Sequence, residues 1–265
     1  MAITVRRTAL AATALALAAG LTACGSSGSP SATKTASGAA GPSGTVNVFA
    51  AASLKESFTE LGRKFEAVYP GVTVKFNFGG SSALAQSIVS GAPADVFAAA
   101  SPATMKTVTD AKAATAPEVF VRNTLTIAVP KGNPKHLAAL KDLAGGGLKV
   151  ALCAKEVPCG AAAVTALKAG EVNLTPVTLE QDVKGALTKV ELGEVDASLV
   201  YRTDVLADAA KIDGVDFPEA AKAVNDYPIA ALTKAPNADG AAAFTAYVRS
   251  ADARRVLTAA GFQTP

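Results

Sequence analysis

The sequence of 265 residues contains no tryptophan, and aromatic residues make up only 5% of it. This scarcity weighs against the aromatic platforms on which proteins stack nucleic-acid bases. The formal net charge is only +3, so nothing indicates the strongly basic surface that a nucleic-acid partner requires. Histidine occurs once, at His136 among lysine and proline residues, and we interpret it as an exposed loop residue rather than a metal ligand.

The N-terminal apolar run is too short to cross a bilayer. It extends from Ala9 to Leu21, about 13 residues, whereas a spanning helix needs about 20. It follows Arg6 and Arg7 and leads through small residues to Cys24, a pattern typical of a lipoprotein signal. We therefore predict a signal peptide at residues 1–23, with lipid chains on the cysteine that anchor the protein to the outer face of the cell membrane.

A tract rich in serine, glycine, threonine, alanine and proline follows the predicted lipid site. An apolar N-terminal helix with an ordinary core cysteine would not explain this tract, and we predict a flexible linker at residues 24–44. Removal of the signal peptide lowers the formal charge to about +1. The 50% of hydrophobic residues can fill one large α/β core or two cores of ordinary domain size.

Only Cys153 and Cys159 remain as thiols after the signal region. They lie six positions apart in a protein predicted to reside in an oxidising compartment, so we expect a local disulfide between them. A zinc site would need more ligands than these two cysteines supply.

Strand-like and helix-like segments alternate along the chain, which predicts an α/β fold with parallel sheet covered by helices. The predicted strands are 45–49, 72–76, 95–98, 125–129, 148–152, 197–201 and 227–232. The predicted helices are 53–68, 82–89, one from about Pro102, 160–169, 183–192, and one or two within 241–260 that end at Gly261.

Four turns from strand to helix share small or hydroxyl residues. They are Ala51-Ala52-Ser53, Gly79-Gly80-Ser81-Ser82, Val157-Pro158-Cys159-Gly160 and Gln181-Asp182-Val183. A helix start presents unpaired N–H groups and about half a positive charge, which favours anions. If the four starts converge, they complement a dianion without any lysine or arginine.

Each turn also has a purely structural interpretation. Ser53 and Glu56 match a capping box, which the residues alone favour over a ligand role, although a capping hydroxyl can still donate its proton. The paired glycines can form only a tight turn with Ser82 as the helix cap, or can let the backbone approach a ligand. Tyr201 at the end of a strand reads by default as a core residue.

Six motifs, in this order, closely resemble the molybdate-binding proteins of bacterial ABC importers. They are Phe49-Ala-Ala-Ala-Ser-Leu54, Gly79-Gly-Ser-Ser-Ala-Leu-Ala85, Gly91-Ala-Pro-Ala-Asp-Val-Phe97, Val157-Pro-Cys-Gly160, Asp182-Val-Lys-Gly-Ala-Leu187 and Leu199-Val-Tyr201. The resemblance covers about Thr45 to Phe262. It implies a type II periplasmic-binding-protein fold with a ligand cleft between two α/β domains. Domain 1 would comprise 45–124 plus 230–265 and domain 2 would comprise 125–229, with chain crossings near Asn123 to Leu125 and near Tyr227 to Ala230.

The resemblance also implies a set of ligand contacts. Carried over by position, they are the hydroxyl and N–H of Ser53 and of Ser81, the N–H groups of Cys159 and Val183, and the hydroxyl of Tyr201. The ligand would be molybdate or tungstate, with molybdenum held as its oxyanion and with no cofactor. The expected protein is a monomer that delivers this anion to an ABC importer permease and catalyses nothing.

The chain departs from the family at one contact position, since relatives often have alanine where this chain has Cys159. Because the implied contact is a backbone N–H, the change need not remove it. A bridge to Cys153 could rigidify the loop and lower the ordering cost of binding. We interpret Asp95 as a structural residue that holds a loop near the domain edge, because a carboxylate ligand would repel the anion.

Three alternatives remain at this point. A receptor for sulfate or another tetrahedral oxyanion would use the same donors. A secreted serine hydrolase would need Ser53 or Ser81 as nucleophile, but neither lies in a Gly-x-Ser-x-Gly elbow, and His136 lies in a loop of lysines and prolines. A lipid-tethered adhesion or scaffolding protein would need a large exposed apolar patch.

Overall fold

A computed structural model describes residues 41–265. The predicted signal peptide, the lipid site at Cys24 and most of the predicted linker lie outside the described residues. Within residues 41–265, no helix combines the length and the apolar character needed to cross a membrane. These residues form one compact unit.

Ten strands and eight α-helices alternate along this unit. The strands are β1 (Gly44–Ala51), β2 (Val72–Gly79), β3 (Val96–Ala98), β4 (Glu118–Asn123), β5 (Leu125–Pro130), β6 (Val150–Cys153), β7 (Thr178–Glu180), β8 (Ala197–Tyr201), β9 (Ile212–Val215) and β10 (Asn225–Ala231). The helices are α1 (Lys55–Val68), α2 (Ser81–Val89), α3 (Pro102–Asp110), α4 (Pro158–Ala169), α5 (Val183–Glu191), α6 (Arg202–Ala207), α7 (Ala238–Val248) and α8 (Ala251–Ala259). Short 3-10 helices span Ala52–Leu54, Leu140–Ala144 and Pro218–Lys222.

The strands form two five-stranded sheets. The first has the order β2-β1-β3-β10-β4 and the second the order β7-β6-β8-β5-β9. Helices α1, α2, α3 and α7 pack on the first sheet, with α8 against α1 and α7, and α4, α5 and α6 pack on the second sheet. We call these two assemblies the first lobe and the second lobe. The α/β class with two sheets is therefore confirmed.

The predicted parallel pairing holds for only part of each sheet. Strand β10 runs antiparallel to β3 and β4, and β5 runs antiparallel to β8 and β9, whereas the remaining neighbours are parallel. The reversed strands follow from the connections, because β4 passes directly into β5 through Thr124 and β10 returns the chain to the first sheet. Residue alternation along a strand does not encode the direction of its neighbour.

The chain passes between the lobes twice, close to the two predicted crossings. The first passage is the single residue between β4 and β5, and the second lies between β9 and β10. Strand β10 belongs to the first sheet from Asn225 onward, where Asn225 pairs with Asn123. The domain boundaries at 124/125 and 229/230 stay predictions.

The core of the first lobe explains why its helices lie where they do. Phe58 and Phe65 of α1, seven residues apart, are both fully buried against Phe244 of α7, with ring centroids 6.1 and 5.2 Å from it. This spacing places two side chains on one face of a helix. The predicted helical stretch 241–260 is two helices, because Ser250 caps the second one by accepting from the N–H of Ala253.

Candidate functional site

The five residues of the implied ligand set lie around one small cavity where loops of the two lobes meet. The cavity is lined by Ala51, Ala52, Ser53, Gly79, Gly80, Ser81, Ala100, Pro158, Cys159, Asp182, Val183 and Tyr201. The space open to the centre of a water-sized sphere is about 10 Å³, which corresponds to roughly one water molecule. Any small group in this cavity therefore touches several walls at once.

Three α-helices begin at the cavity. Ser81 is the first residue of α2, Cys159 the second of α4 and Val183 the first of α5. The N–H groups in the first turn of a helix have no partner within the helix. Among residues 41–265, no hydrogen bond is donated by the N–H of any of these three residues. They are therefore available to an acceptor in the cavity.

Two serine hydroxyls at the cavity already have a hydrogen-bond partner in the protein. The N–H of Ala100 donates to Ser81 Oγ at 3.0 Å, so the hydroxyl proton of Ser81 remains free. Ser53 Oγ lies 2.9 Å from the hydroxyl oxygen of Tyr227, and either atom can be the donor. Both serines are at most 4% exposed, so their hydroxyl groups have little access to water.

The Tyr201 hydroxyl is buried and makes no hydrogen bond with any of the described residues. Tyr201 is 1% exposed and lies at the end of β8. Burial raises the pKa of Tyr201 well above its ordinary value, so the phenol stays protonated and can donate. An unpaired buried hydroxyl costs roughly 1–3 kcal/mol, which indicates that this group has a partner outside the protein chain.

The capping-box interpretation of Ser53 is wrong. The chain makes a 3-10 turn at Ala52–Leu54 before α1, so the N-cap position falls on Leu54 and no side chain caps the helix. Ser53 therefore points to the cavity, and Glu56 is free to pair with Lys184, with Oε2 and Nζ 3.1 Å apart.

Ser82 also does not cap its helix. Its hydroxyl donates to the carbonyl oxygen of Glu156 at 2.6 Å, which links the first lobe to the second. At the start of α5, by contrast, the Asp182 carboxylate does act as a cap and accepts from the N–H of Gly185 at 3.0 Å. This bond occupies part of the acceptor capacity of the carboxylate that lines the cavity.

Two glycines allow backbone segments to meet beside the cavity. A Cβ atom on Gly80 would lie 2.2 Å from the carbonyl oxygen of Gln181, and one on Gly160 would lie 1.9 Å from that of Ala154. Both distances are far below a van der Waals contact. The paired glycines of the first lobe thus permit close approach, but the group they approach is the backbone of the second lobe.

Cys153 and Cys159 form a disulfide bond, with their Cα atoms 5.8 Å apart. Both cysteines are 3% exposed. The bond joins the end of β6 to the first turn of α4. It therefore restrains the turn that carries the N–H of Cys159.

A group of charged residues behind the cavity was missed by the sequence analysis. Lys184 Nζ lies 3.1 Å from Glu56 Oε2 and 3.1 Å from Asp204 Oδ1. The other carboxylate oxygen of Asp204 accepts from the N–H of Tyr201 at 3.2 Å. The spacing Tyr201-Arg-Thr-Asp204 could have suggested this contact, because an acidic residue in the first turn of a helix often accepts from the backbone before it.

Burial governs the charge state of this group. It raises the pKa of Asp204 to about 6, against the opposing effect of Lys184. The pKa of Lys184 is raised, because attraction to Asp204 and Glu56 outweighs the burial that lowers it. Lys184, which follows Val183 of the cavity in the chain, is therefore engaged with two carboxylates.

The structure places Asp95 and His136 away from the cavity. Asp95 is fully buried and accepts from the N–H groups of Asn47 and Asn237, each at 2.6 Å, so it ties two segments of the first lobe together. His136 is an exposed loop residue with a φ of 52°. Within residues 41–265, no group of three or more histidine, cysteine, aspartate or glutamate side chains is arranged to hold a metal ion.

A wider groove lies on the other side of Ser53. Its volume is about 840 Å³, and it runs along exposed side chains of α1 and α8, including Glu60, Lys64 and Arg255. Its lining includes the carboxylates of Glu60 and Asp252, which would repel an anion. The small cavity is therefore the better candidate site for an anionic ligand.

The chain is similar to known proteins over nearly its whole length. The family model of bacterial extracellular solute-binding proteins matches residues 46–263. The molybdate-binding protein ModA of Mycobacterium tuberculosis (strain ATCC 25618 / H37Rv) is 45% identical to the chain over 253 residues, which cover 94% of this chain and 95% of that protein.

Two solved structures share the fold. The periplasmic molybdate-binding protein of Azotobacter vinelandii has a TM-score of 0.71 at 20% identity and covers 83% of this chain and 99% of its own. The sulfate-binding protein SubI from Mycobacterium tuberculosis H37Rv has a TM-score of 0.72 at 17% identity and covers 83% of this chain and 86% of its own. At these identities the likeness concerns the fold alone.

Proposed function

The chain belongs to the family of bacterial extracellular solute-binding proteins, and we propose that it captures molybdate and delivers it to an ABC-type importer. The observation that carries this proposal is the buried, unpartnered hydroxyl of Tyr201 in a cavity that also receives three free helix N–H groups. The 45% identity to a molybdate-binding protein over nearly the whole chain supports the choice of anion.

The donors of the cavity suit a fully ionised tetrahedral anion. Molybdate carries two negative charges and offers only acceptor oxygens. The proposed contacts are the hydroxyls of Ser53, Ser81 and Tyr201 and the N–H groups of Ser53, Ser81, Cys159 and Val183. Hydrogen phosphate would place an O–H among these donors and leave it unpaired, at a cost of roughly 1–3 kcal/mol.

Size, rather than charge, separates molybdate from sulfate. Both ions are dianions, so the number of donors does not distinguish them. Molybdenum–oxygen bonds are longer than sulfur–oxygen bonds, and rigid donors set for the larger ion would leave sulfate with stretched hydrogen bonds. Tungstate, which closely matches molybdate in size and charge, is the expected second ligand.

Entry of the anion requires movement of the cavity walls. The cavity has space for about one water molecule, and a five-atom anion is larger. We propose that the two lobes separate to admit the anion and close around it, so that ligand shifts the equilibrium toward the closed form.

We propose that the chain performs no catalysis. In a hydrolase, Ser53 or Ser81 would need a neighbouring base. The recorded partners of these hydroxyls are Tyr227 and the N–H of Ala100, and neither is a base. His136 lies on an exposed loop.

The proposed location is the outer face of the cell membrane. Cys24 would carry the lipid anchor after removal of residues 1–23, and residues 24–44 would tether a monomeric binding protein near its permease. The family description as extracellular solute-binding proteins supports an extracytoplasmic site of action.

The proposal is tested by calorimetric titration of the purified protein with sodium molybdate, with sulfate present in excess as competitor. We expect saturable binding of one molybdate per chain that excess sulfate does not displace. Displacement by sulfate would replace molybdate with sulfate as the ligand, and an absence of heat with molybdate would overturn the proposal.

A further inference from the structure

Tyr227 contacts the anion cavity only through Ser53. Its hydroxyl oxygen lies 2.9 Å from Ser53 Oγ, and Tyr227 is fully buried without lining the cavity. Its ring packs edge-on against Tyr201 and Phe262, at centroid distances of 5.9 and 5.6 Å. The phenol is therefore held in one place behind the serine.

The direction of this hydrogen bond follows from the partners available. The proposed anion offers only acceptor oxygens, so Ser53 must give its single hydroxyl proton to the anion. If Ser53 gave this proton to Tyr227 instead, a lone pair of Ser53 would face the anion. Burial raises the pKa of Tyr227 above its ordinary value, so the phenol proton is present at physiological pH and can go to Ser53. Tyr227 therefore donates, and Ser53 accepts.

This direction leaves the proton of Ser53 for the cavity side. A hydroxyl has one proton and two lone pairs, and Tyr227 occupies one lone pair of Ser53. Ser81 is arranged in the same way, because the N–H of Ala100 donates to its oxygen. Both serines thus receive a hydrogen bond from the protein and have a free proton to give.

We infer that Tyr227 is a positioning residue for anion binding, which fixes the Ser53 hydroxyl as a donor toward the cavity. This inference rests on the proposed function, because it concerns the same anion. Tyr227 does not touch the ligand itself. It acts by holding the orientation of Ser53 and by polarising its O–H bond, as occurs in chains of hydrogen bonds.

A double-mutant cycle tests this inference with Tyr227→Phe, Ser53→Ala and the double variant. Tyr227→Phe is expected to weaken molybdate binding roughly tenfold, the size of one hydrogen bond. In the Ser53→Ala background the same change should cause no further loss of affinity, because its effect passes through Ser53. Tyr69→Phe, at a partly exposed tyrosine that packs on Phe65, is the matched control and should bind as the wild type does.

Thermal unfolding of the same variants separates positioning from a general structural role. The two hydroxyls share a hydrogen bond, so Tyr227→Phe should lower the unfolding midpoint less in the Ser53→Ala background than in the wild type. If Tyr227→Phe alone fails to fold, the affinity of the double variant is compared with that of Ser53→Ala, and the two should be equal.

Equal losses of affinity in both backgrounds, or equal losses of the unfolding midpoint in both backgrounds, would overturn the inference. Wild-type protein that bound no molybdate would overturn the proposed function and the positioning role of Tyr227 together. An unchanged affinity of Tyr227→Phe, beside normal wild-type binding, would remove the inference alone.

Discussion

At the scale of single residues, the Tyr201 hydroxyl is a donor held ready without a partner in the described chain. Two neighbours hold Tyr201 in place. The Asp204 carboxylate accepts from the backbone N–H of Tyr201, and the ring of Tyr227 packs against the ring of Tyr201. An unpaired buried hydroxyl lowers the stability of the folded protein. The hydrogen bond that offsets this loss forms only when an acceptor enters the cavity.

Replacement of Tyr201 by phenylalanine should therefore separate binding from stability. The variant is expected to unfold at the same temperature as the wild type or slightly above it, and to bind molybdate roughly tenfold more weakly. Titration calorimetry and thermal unfolding in the absence of ligand measure the two effects. A variant that lost stability but retained full affinity would contradict the assigned role.

The raised pKa of Asp204 predicts that the stability of the protein depends on pH. Its pKa is 3.8 in the unfolded reference and about 6 in the folded protein, mainly because burial disfavours the charged form. The folded state thus holds the proton more tightly, so this residue supports folding most below about pH 4. That support falls by roughly 3 kcal/mol as the pH rises past 6.

Unfolding free energies measured between pH 4 and 7 test this effect. Relative to Asp204→Asn, the wild type should become less stable as the pH rises through this window. Asp110→Asn, at an exposed carboxylate paired with Lys106, should show no such relative change. A constant difference between the wild type and Asp204→Asn would show that the buried carboxylate does not titrate there.

At the scale of elements, the disulfide between β6 and α4 restrains a turn that lines the cavity. Replacing Cys153 and Cys159 together by alanine should lower the unfolding free energy by about 2 kcal/mol, as expected for so short a loop. It should also weaken molybdate binding roughly two- to tenfold, because the freed turn must be ordered on binding. Chemical reduction of the wild type should reproduce both effects, and unchanged affinity and stability would exclude this role.

The contact between α1 and α5 provides a link between the lobes. Glu56 is about half exposed and pairs with Lys184 across the interface, so Glu56→Gln should weaken binding only about twofold, the scale of a partly screened ion pair. The loss should shrink at high salt. The matched control is Glu60→Gln on the same helix, whose partner Lys64 lies within α1, and an equal loss in this control would contradict the role of the link.

Most elements could be predicted from the sequence because their signals are local. Strand β8 matches its prediction at 197–201, and Gly261 ends the last helix with a φ of 98°. Strands β4, β7 and β9 were missed, and β7 and β9 carry little periodicity because they have only three and four residues. The antiparallel direction of β5 and β10 was not predicted, because strand direction depends on the path of the chain.

The candidate site shows a similar division between local and distant information. The turn chemistry indicated helix starts that favour anions, and the resemblance implied which residues contact the ligand. Neither indicated Tyr227, which meets Ser53 across 174 positions of sequence. Local patterns also suggested a cap at Ser53, and only the 3-10 turn before α1 shows why this hydroxyl does not cap the helix.

At the scale of the whole molecule, the two lobes each contribute donors to one cavity. Ser53 and Ser81 come from the first lobe, and Cys159, Val183 and Tyr201 come from the second. An anion bound by both sets joins the lobes, so its binding energy favours the closed arrangement. In the proposed transport cycle, this coupling allows the permease to distinguish loaded protein from free protein.

The central claim is that the cavity selects molybdate and tungstate over other oxyanions, and thermal unfolding with each anion added separately in excess tests it most directly. A ligand at about 100 times its dissociation constant stabilises the fold by about 2.7 kcal/mol, which raises the unfolding midpoint by several degrees. The account predicts this rise with molybdate and with tungstate, and no rise with sulfate or phosphate at equal concentration. A rise with sulfate or phosphate alone, or no rise with any of the four anions, would contradict it.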